Sequence, residues 1–115
     1  MAPMQVAFKT ASLRALCTSD KLLRKEFGEK GMKKIRQRFD EFDAAENLAV
    51  IGLLPGPRCE ELKGNRAGEL SVRAHDGMRI IFRPLQSPVP VKPDGGLNWS
   101  AITSLYILSI EDYHD

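Results

Sequence analysis

Ser104-Leu105-Tyr106-Ile107-Leu108-Ser109-Ile110 runs directly into Glu111-Asp112-Tyr113-His114-Asp115 at the end of the sequence. The first seven residues are rich in aliphatic, β-branched and aromatic side chains, as a strand held inside a sheet requires. Terminal residues fray unless such a strand pins them. A pinned terminus can place ionisable side chains, so the upstream chain reads as a scaffold that brings basic and acidic groups to Asp112, Tyr113 and His114.

Immediately upstream, residues 99–110 carry apolar side chains on both faces (Ile102, Leu105, Tyr106, Ile107, Leu108, Ile110), which predicts a strand with at least one face covered. Residues 84–98 contain Pro84, Pro88, Pro90, Pro93 and Gly95-Gly96 and predict a long surface loop. Leu70, Val72 and Ala74 alternate along residues 69–74, and Met78, Ile80 and Phe82 alternate after His75-Asp76-Gly77. Asp-Gly between two alternating runs predicts a hairpin, with His75 as a turn residue. Pro55-Gly56-Pro57 ends any helix before it, and residues 48–54 form a short apolar connector.

Leu13, Leu16, Leu23 and Phe27 share one helical face, with Gly28 as a stop. Ser19 and Asp20 can restart a helix, so one bent helix or two short ones fit equally. Residues 31–45 place Met32, Ile35, Phe39 and Phe42 at helical spacing behind a basic outer face. The two stretches predict a helical hairpin joined around residues 28–31. Residues 4–10, with Val6 and Phe8, predict a first strand. The expected fold is α+β over a single domain, residues 1–115: an N-terminal strand, a two-helix hairpin, then the three-stranded antiparallel portion of a small mixed sheet.

Composition agrees with one ordinary globular domain: 115 residues, 43% hydrophobic and 28% charged. No apolar run is long enough to span a bilayer. The first residues lack a basic region followed by an apolar run, so a cytoplasmic location is expected. Cys17 and Cys59 show neither metal-ligand nor redox spacing and are expected as reduced, mostly buried thiols. Net charge is only +2, yet five basic residues and no acid lie between Lys30 and Arg38. Arg58, Lys63, Arg66, Arg73, Arg79 and Arg83 follow, a candidate phosphate-binding surface if they share a face.

There is no P-loop, no paired histidine motif and no nucleophile elbow, so neither a metal nor a cofactor is expected. Acids, a late histidine, a tyrosine and many cations suit metal-free RNA cleavage. A base takes the 2'-OH proton, cations stabilise the charge on the phosphoryl oxygens, and an acid protonates the leaving oxygen. His114 has the reference pKa, about 6.5, suited to that acid.

Three blocks together resemble a known family: Pro55-Gly-Pro-Arg58-Cys59-Glu60-Glu61-Leu62-Lys63-Gly64-Asn65-Arg66-Ala67-Gly68, then Met78-Arg79-Ile80-Ile81-Phe82, then Ile110-Glu111-Asp112-Tyr113-His114. They are similar to the RelE/ParE superfamily of bacterial toxins, closest to its HigB-like branch. The resemblance implies a RelE-like fold and the toxin of a type II toxin-antitoxin pair, an endoribonuclease that cleaves mRNA on the ribosome. Its partner would be a helix-turn-helix, HigA-like antitoxin, with operator DNA bound only through that complex. Carried over, the resemblance makes His114 the acid, Tyr113 an orienting group, Asp112 a member of the terminal set, and Lys63, Arg66 and Arg79 phosphate contacts. Arg58 and Arg73 join them as RNA-binding candidates. HigB-like toxins commonly carry a histidine two residues before the leucine of Leu-Lys-Gly, where this chain has Glu60; the YoeB-like branch has a glutamate there, assigned as general base. The alternatives are a non-catalytic ParE-like inhibitor of DNA gyrase and a decayed toxin that only binds antitoxin and RNA.

Overall fold

The computed structural model describes residues 2–113, so the expected acid, His114, lies outside the described residues. In order, the elements are β1 (Gln5–Phe8), α1 (Ala11–Cys17), α2 (Asp20–Ala44), α3 (Leu48–Leu53), β2 (Glu60–Glu61), β3 (Leu70–Arg73), β4 (Met78–Pro84) and β5 (Ser104–Asp112). Short 3-10 turns occupy Gly64–Arg66 and Trp99–Ala101. The five strands form one mixed sheet in the order β1-β5-β4-β3-β2, with β1 parallel to β5 and the other neighbours antiparallel. The α+β architecture expected from the sequence is therefore present. The last strand is interior, with a neighbour on each side, which is what holds it.

The helical region resolves into a break and a reversal. Thr10 Oγ1 accepts from the Leu13 N–H and Ser19 Oγ from the Leu22 N–H, each at 3.1 Å, so α1 and α2 each begin on a side-chain cap. Of the two arrangements that the sequence allows, two helices is correct. Inside α2, Gly28 has φ 77° and ψ 176°, a conformation far from helical. Arg36 and Asp20, sixteen positions apart, meet at 2.7 Å. A continuous helix would separate them by about 24 Å. Residues 20–27 and 29–44 are thus antiparallel limbs that turn at Gly28, and a Cβ on Gly31 would sit 2.6 Å from the Phe27 Cβ. This is the expected hairpin.

Leu23, Ile35, Phe39 and Phe42 of α2 are buried together with Leu70, Val72, Ile80 and Phe82 of β3 and β4 and Leu105 and Ile107 of β5. Phe39, Phe42 and Phe82 form a chain of edge contacts, with centroids 5.8 Å and 5.4 Å apart. Each fully buried large side chain contributes about 1.5–3 kcal/mol relative to exposure. Residues 48–54, expected as a connector, include helix α3, capped by Asn47 and burying Leu48 and Ile51. Among the described residues, no helix is long and apolar enough to cross a membrane.

The last strand begins later than its apolar run. Residues 99–103 are outside β5, because Trp99 turns aside against Gly52 and donates its indole N–H to Glu61 at 3.0 Å. The Asp76-Gly77 turn is as expected: both residues have positive φ, 54° and 79°, and the Met78 N–H bonds the His75 carbonyl at 3.0 Å.

An irregularity in β5 sets which way its last residues face. Ile81 pairs with Ser109 but Phe82 pairs with Ile107, leaving Leu108 as an extra residue in the strand. Leu105 and Ile107 lie in the core before this bulge; after it, Ile110 packs against the core, while Ser109 and Glu111 lie on the opposite face.

Candidate active site

The outer face of the sheet is built by alternation. With Leu70, Val72, Ile80 and Phe82 turned to the helices, Ser71, Arg73, Arg79 and Ile81 must face the other way. Ladder pairing then sets Arg73 opposite Arg79, Arg79 opposite Glu111, and Glu60 opposite Ser71. Chain segments far apart in sequence thereby become one polar row. Among the described residues, Leu62 and Ile81 are the buried apolar residues left out of the main core cluster.

An open cleft of about 570 Å³ lies at the end of that row, lined by Arg58, Glu60, Arg73, His75, Arg79 and Tyr113. Arg79 organises it. Its side chain is only 13% exposed and reaches Glu60 at 3.6 Å. Its Nε donates to Ser71 Oγ at 2.7 Å and its Nη2 to the Arg58 carbonyl at 2.8 Å. Arg58 is a non-glycine residue with φ 46°, a left-handed conformation that costs about 1–2 kcal/mol. It is held by that bond and by the adjoining Arg73 N–H to Pro57 carbonyl bond at 2.7 Å. The buried guanidinium of Arg38 secures the same strand from the helix side, donating to the Arg73 carbonyl at 2.7 Å and to Glu41 at 2.9 Å.

Five sequence candidates meet at this cleft: Arg58, Glu60, Arg73, Arg79 and Tyr113. Glu60 stands on the edge strand with 46% of its side chain in solvent, so it is not a buried carboxylate. Among the described residues, no ion pair engages Arg58 or Arg73, which leaves the cleft cationic. Lys63 is exposed where the chain enters the 3-10 turn at Gly64–Arg66 and does not line the cleft. Asp112 lies opposite Met78, so alternation directs it to the other face from Glu111.

Arg66 is also outside the cleft lining. It pairs with Glu69 at 2.9 Å and with Glu111 at 2.8 Å, and its Cζ lies 5.5 Å from the Tyr113 ring centroid. The hydrogen bonds that Arg66 donates to Glu111 and then to Glu69 raise its pKa. The Arg66 hydrogen bond, followed by that of Ser109, lowers Glu111 below the usual carboxylate range. This network of Glu69, Ser109 and Glu111 was missed as such by sequence reasoning. The signal available was the spacing of two between Ser109, Glu111 and Tyr113 in a strand.

His75 contributes an imidazole at the cleft wall, 3.7 Å from Asp76. Burial pushes the half-buried Cys59 thiol beside Glu60 up to about 12, against the attraction of Arg79, so it is a poor nucleophile at neutral pH.

No protein-family model and no curated protein sequence matches the chain. Among solved structures, it is similar to a YoeB/ParE toxin from Agrobacterium tumefaciens, with TM-score 0.55, 14% identity, and coverage of 96% of this chain and 100% of that one. It also aligns with the toxin-antitoxin complex RelBE2 from Mycobacterium tuberculosis, with TM-score 0.44, 22% identity, and coverage of 95% and 96%. Over nearly its whole length the chain therefore shares the fold of that YoeB/ParE toxin.

Proposed function

We propose that this protein is the toxin of a type II toxin-antitoxin pair and an endoribonuclease that cuts mRNA on the translating ribosome. The observation that carries the reading is the convergence of Arg58, Arg73 and Arg79 with Glu60 and Tyr113 on one open cleft, at the end of the strand that leads to His114. The shared fold with a YoeB/ParE toxin supports the toxin part. The chemistry of the cleft supports RNA.

In the proposed reaction Glu60 takes the proton of a ribose 2'-OH. The 2'-oxygen then bonds to the adjacent phosphorus as the bond from phosphorus to the 5'-oxygen breaks. Arg58, Arg73 and Arg79 stabilise the charge growing on the non-bridging oxygens, which is the contribution preorganised cations supply best. His114 delivers a proton to the departing 5'-oxygen, Tyr113 orients the substrate, and the products are a 2',3'-cyclic phosphate and a 5'-hydroxyl. Lys63, exposed outside the cleft lining, offers a further cationic contact along the RNA backbone. The inhibitory partner is a helix-turn-helix antitoxin of the HigA-like kind, through which operator DNA is bound.

Primer extension on a defined mRNA in a reconstituted translation reaction, with and without ribosomes, tests this. Cuts that need ribosomes are expected, with loss of about 10²–10⁴-fold in rate for Glu60→Gln and for His114→Ala. Cuts without ribosomes would make it a free ribonuclease. Absence of cuts in both would overturn the reading in favour of a ParE-like gyrase inhibitor or a binding module.

A further inference from the structure

We infer that Arg66 is a positioning residue, which holds the end of β5 and the Tyr113 ring at the cleft, and that it does not itself contact RNA phosphate. The inference rests on the proposed RNA cleavage for its catalytic consequence only. Its structural content stands on the geometry alone.

The guanidinium is already occupied on three sides. Nε donates to Glu69 at 2.9 Å, Nη1 to one Glu111 oxygen at 2.8 Å, and Nη2 to the other at 3.4 Å. Such a fork against a carboxylate fixes orientation as well as distance. Ser109 donates to the same Glu111 carboxylate, so that acceptor is locked from both ends. Two carboxylates around one guanidinium leave a local excess of negative charge, which repels a phosphate. Arg58, Arg73 and Arg79 line the cleft, and Arg66 does not.

The same geometry explains what Arg66 does. It is contributed by the 3-10 turn after β2, forty-five positions before Glu111, and no backbone ladder joins those two segments. With its Cζ 5.5 Å from the Tyr113 centroid, the guanidinium also supports the ring that borders the cleft. Arg66 is therefore a strut between the edge of the sheet and its interior strand β5, where that strand leaves the ladder at Asp112.

Three readouts on Arg66→Ala, Glu111→Gln and Arg73→Ala test the assignment. Amide hydrogen exchange of residues 109–113 should accelerate at least tenfold in Arg66→Ala and in Glu111→Gln, and stay within twofold in Arg73→Ala. Binding to a 2'-O-methylated single-stranded RNA should keep its salt dependence in Arg66→Ala, whereas Arg73→Ala should reduce the slope by about 0.7, the value of one phosphate contact on a single strand. In the cleavage assay Arg66→Ala should lower kcat more than tenfold with KM within twofold. Unchanged exchange at residues 109–113 in both Arg66→Ala and Glu111→Gln would overturn the proposal, as would a salt slope lowered in Arg66→Ala. If Arg66→Ala does not fold, Glu111→Gln carries the exchange test. If the wild-type chain binds no RNA, the proposed function fails while exchange still decides the role of Arg66.

Discussion

Arg38, from the buried face of the long helix, donates its Nε–H to the backbone carbonyl of Arg73, 2.7 Å away on the strand that lines the cleft. Its side chain is 2% exposed and its other contact is Glu41. Lysine carries the same charge but cannot supply this two-pronged geometry. Arg38→Leu is expected to lose about 2–4 kcal/mol of stability, since it leaves a carboxylate and a carbonyl without their donor. Arg38→Lys should recover only part of that. Urea denaturation of the three proteins measures it, and equal midpoints would show that the contact is dispensable.

Gly28 isolates a backbone effect. Its φ of 77° and ψ of 176° lie in a region essentially reserved for glycine, and a Cβ there would meet nothing within 4 Å. Gly28→Ala should therefore cost about 1–3 kcal/mol through conformation alone. Thermal unfolding by circular dichroism reads the drop. An unchanged midpoint would mean that the reversal between the two helical limbs tolerates another geometry.

Glu111 gives a signed pH dependence. Its carboxyl is held low chiefly by Arg66, so its folded pKa lies below its unfolded one. The stabilisation it contributes is present above the unfolded pKa and is lost as pH falls through the folded value. The wild type should be more stable than Glu111→Gln at pH 7, with the gap closing on acidification to pH 3. A gap that widened instead would refute the pairing.

The two thiols should be slow. Burial raises both Cys17 and Cys59 to about 12, so at pH 8 neither has appreciable thiolate. Ellman's reagent should react with the native protein much more slowly than with the denatured chain. Rapid stoichiometric labelling of native Cys59 would contradict this.

The sequence declared its long periodic elements and concealed its short ones. Alternation on either side of Asp76-Gly77 and the spacing of Ile35, Phe39 and Phe42 were readable because burial imposes period two on a strand and 3.6 on a helix. Glu60–Glu61 is too short to show a period, and becomes a strand only because β3 offers an open edge. Helix α3 spans fewer than two turns, so its pattern matched a connector. At the site, residue types suggested the chemistry and the resemblance supplied the grouping of Glu60 with Arg79. What no local pattern contained was the pairing of Arg66 with Glu111, which depends on how the chain after β2 lies across the sheet. Arginine was readable as a cation, but its neutralisation by Glu69 nearby and by Glu111 forty-five positions away was not.

Leu108 makes the terminal segment a matter of counting. Because it is one residue more than the ladder needs, it advances the phase of everything after it by one step, exchanging inward for outward positions. Were Leu108 paired as an ordinary strand residue, Ser109 and Glu111 would continue the inward series of Leu105 and Ile107 and present polar groups to the phenylalanine core. Deleting Leu108 would straighten the strand and leave Ser109 and Glu111 on the outer face, because Ile107 and Ser109 already pair with the successive residues Phe82 and Ile81. Substituting Leu108 with another apolar residue preserves the phase. The bulge, more than the identity of the side chain within it, is what turns Ser109 and Glu111 to the outer face beside Arg66.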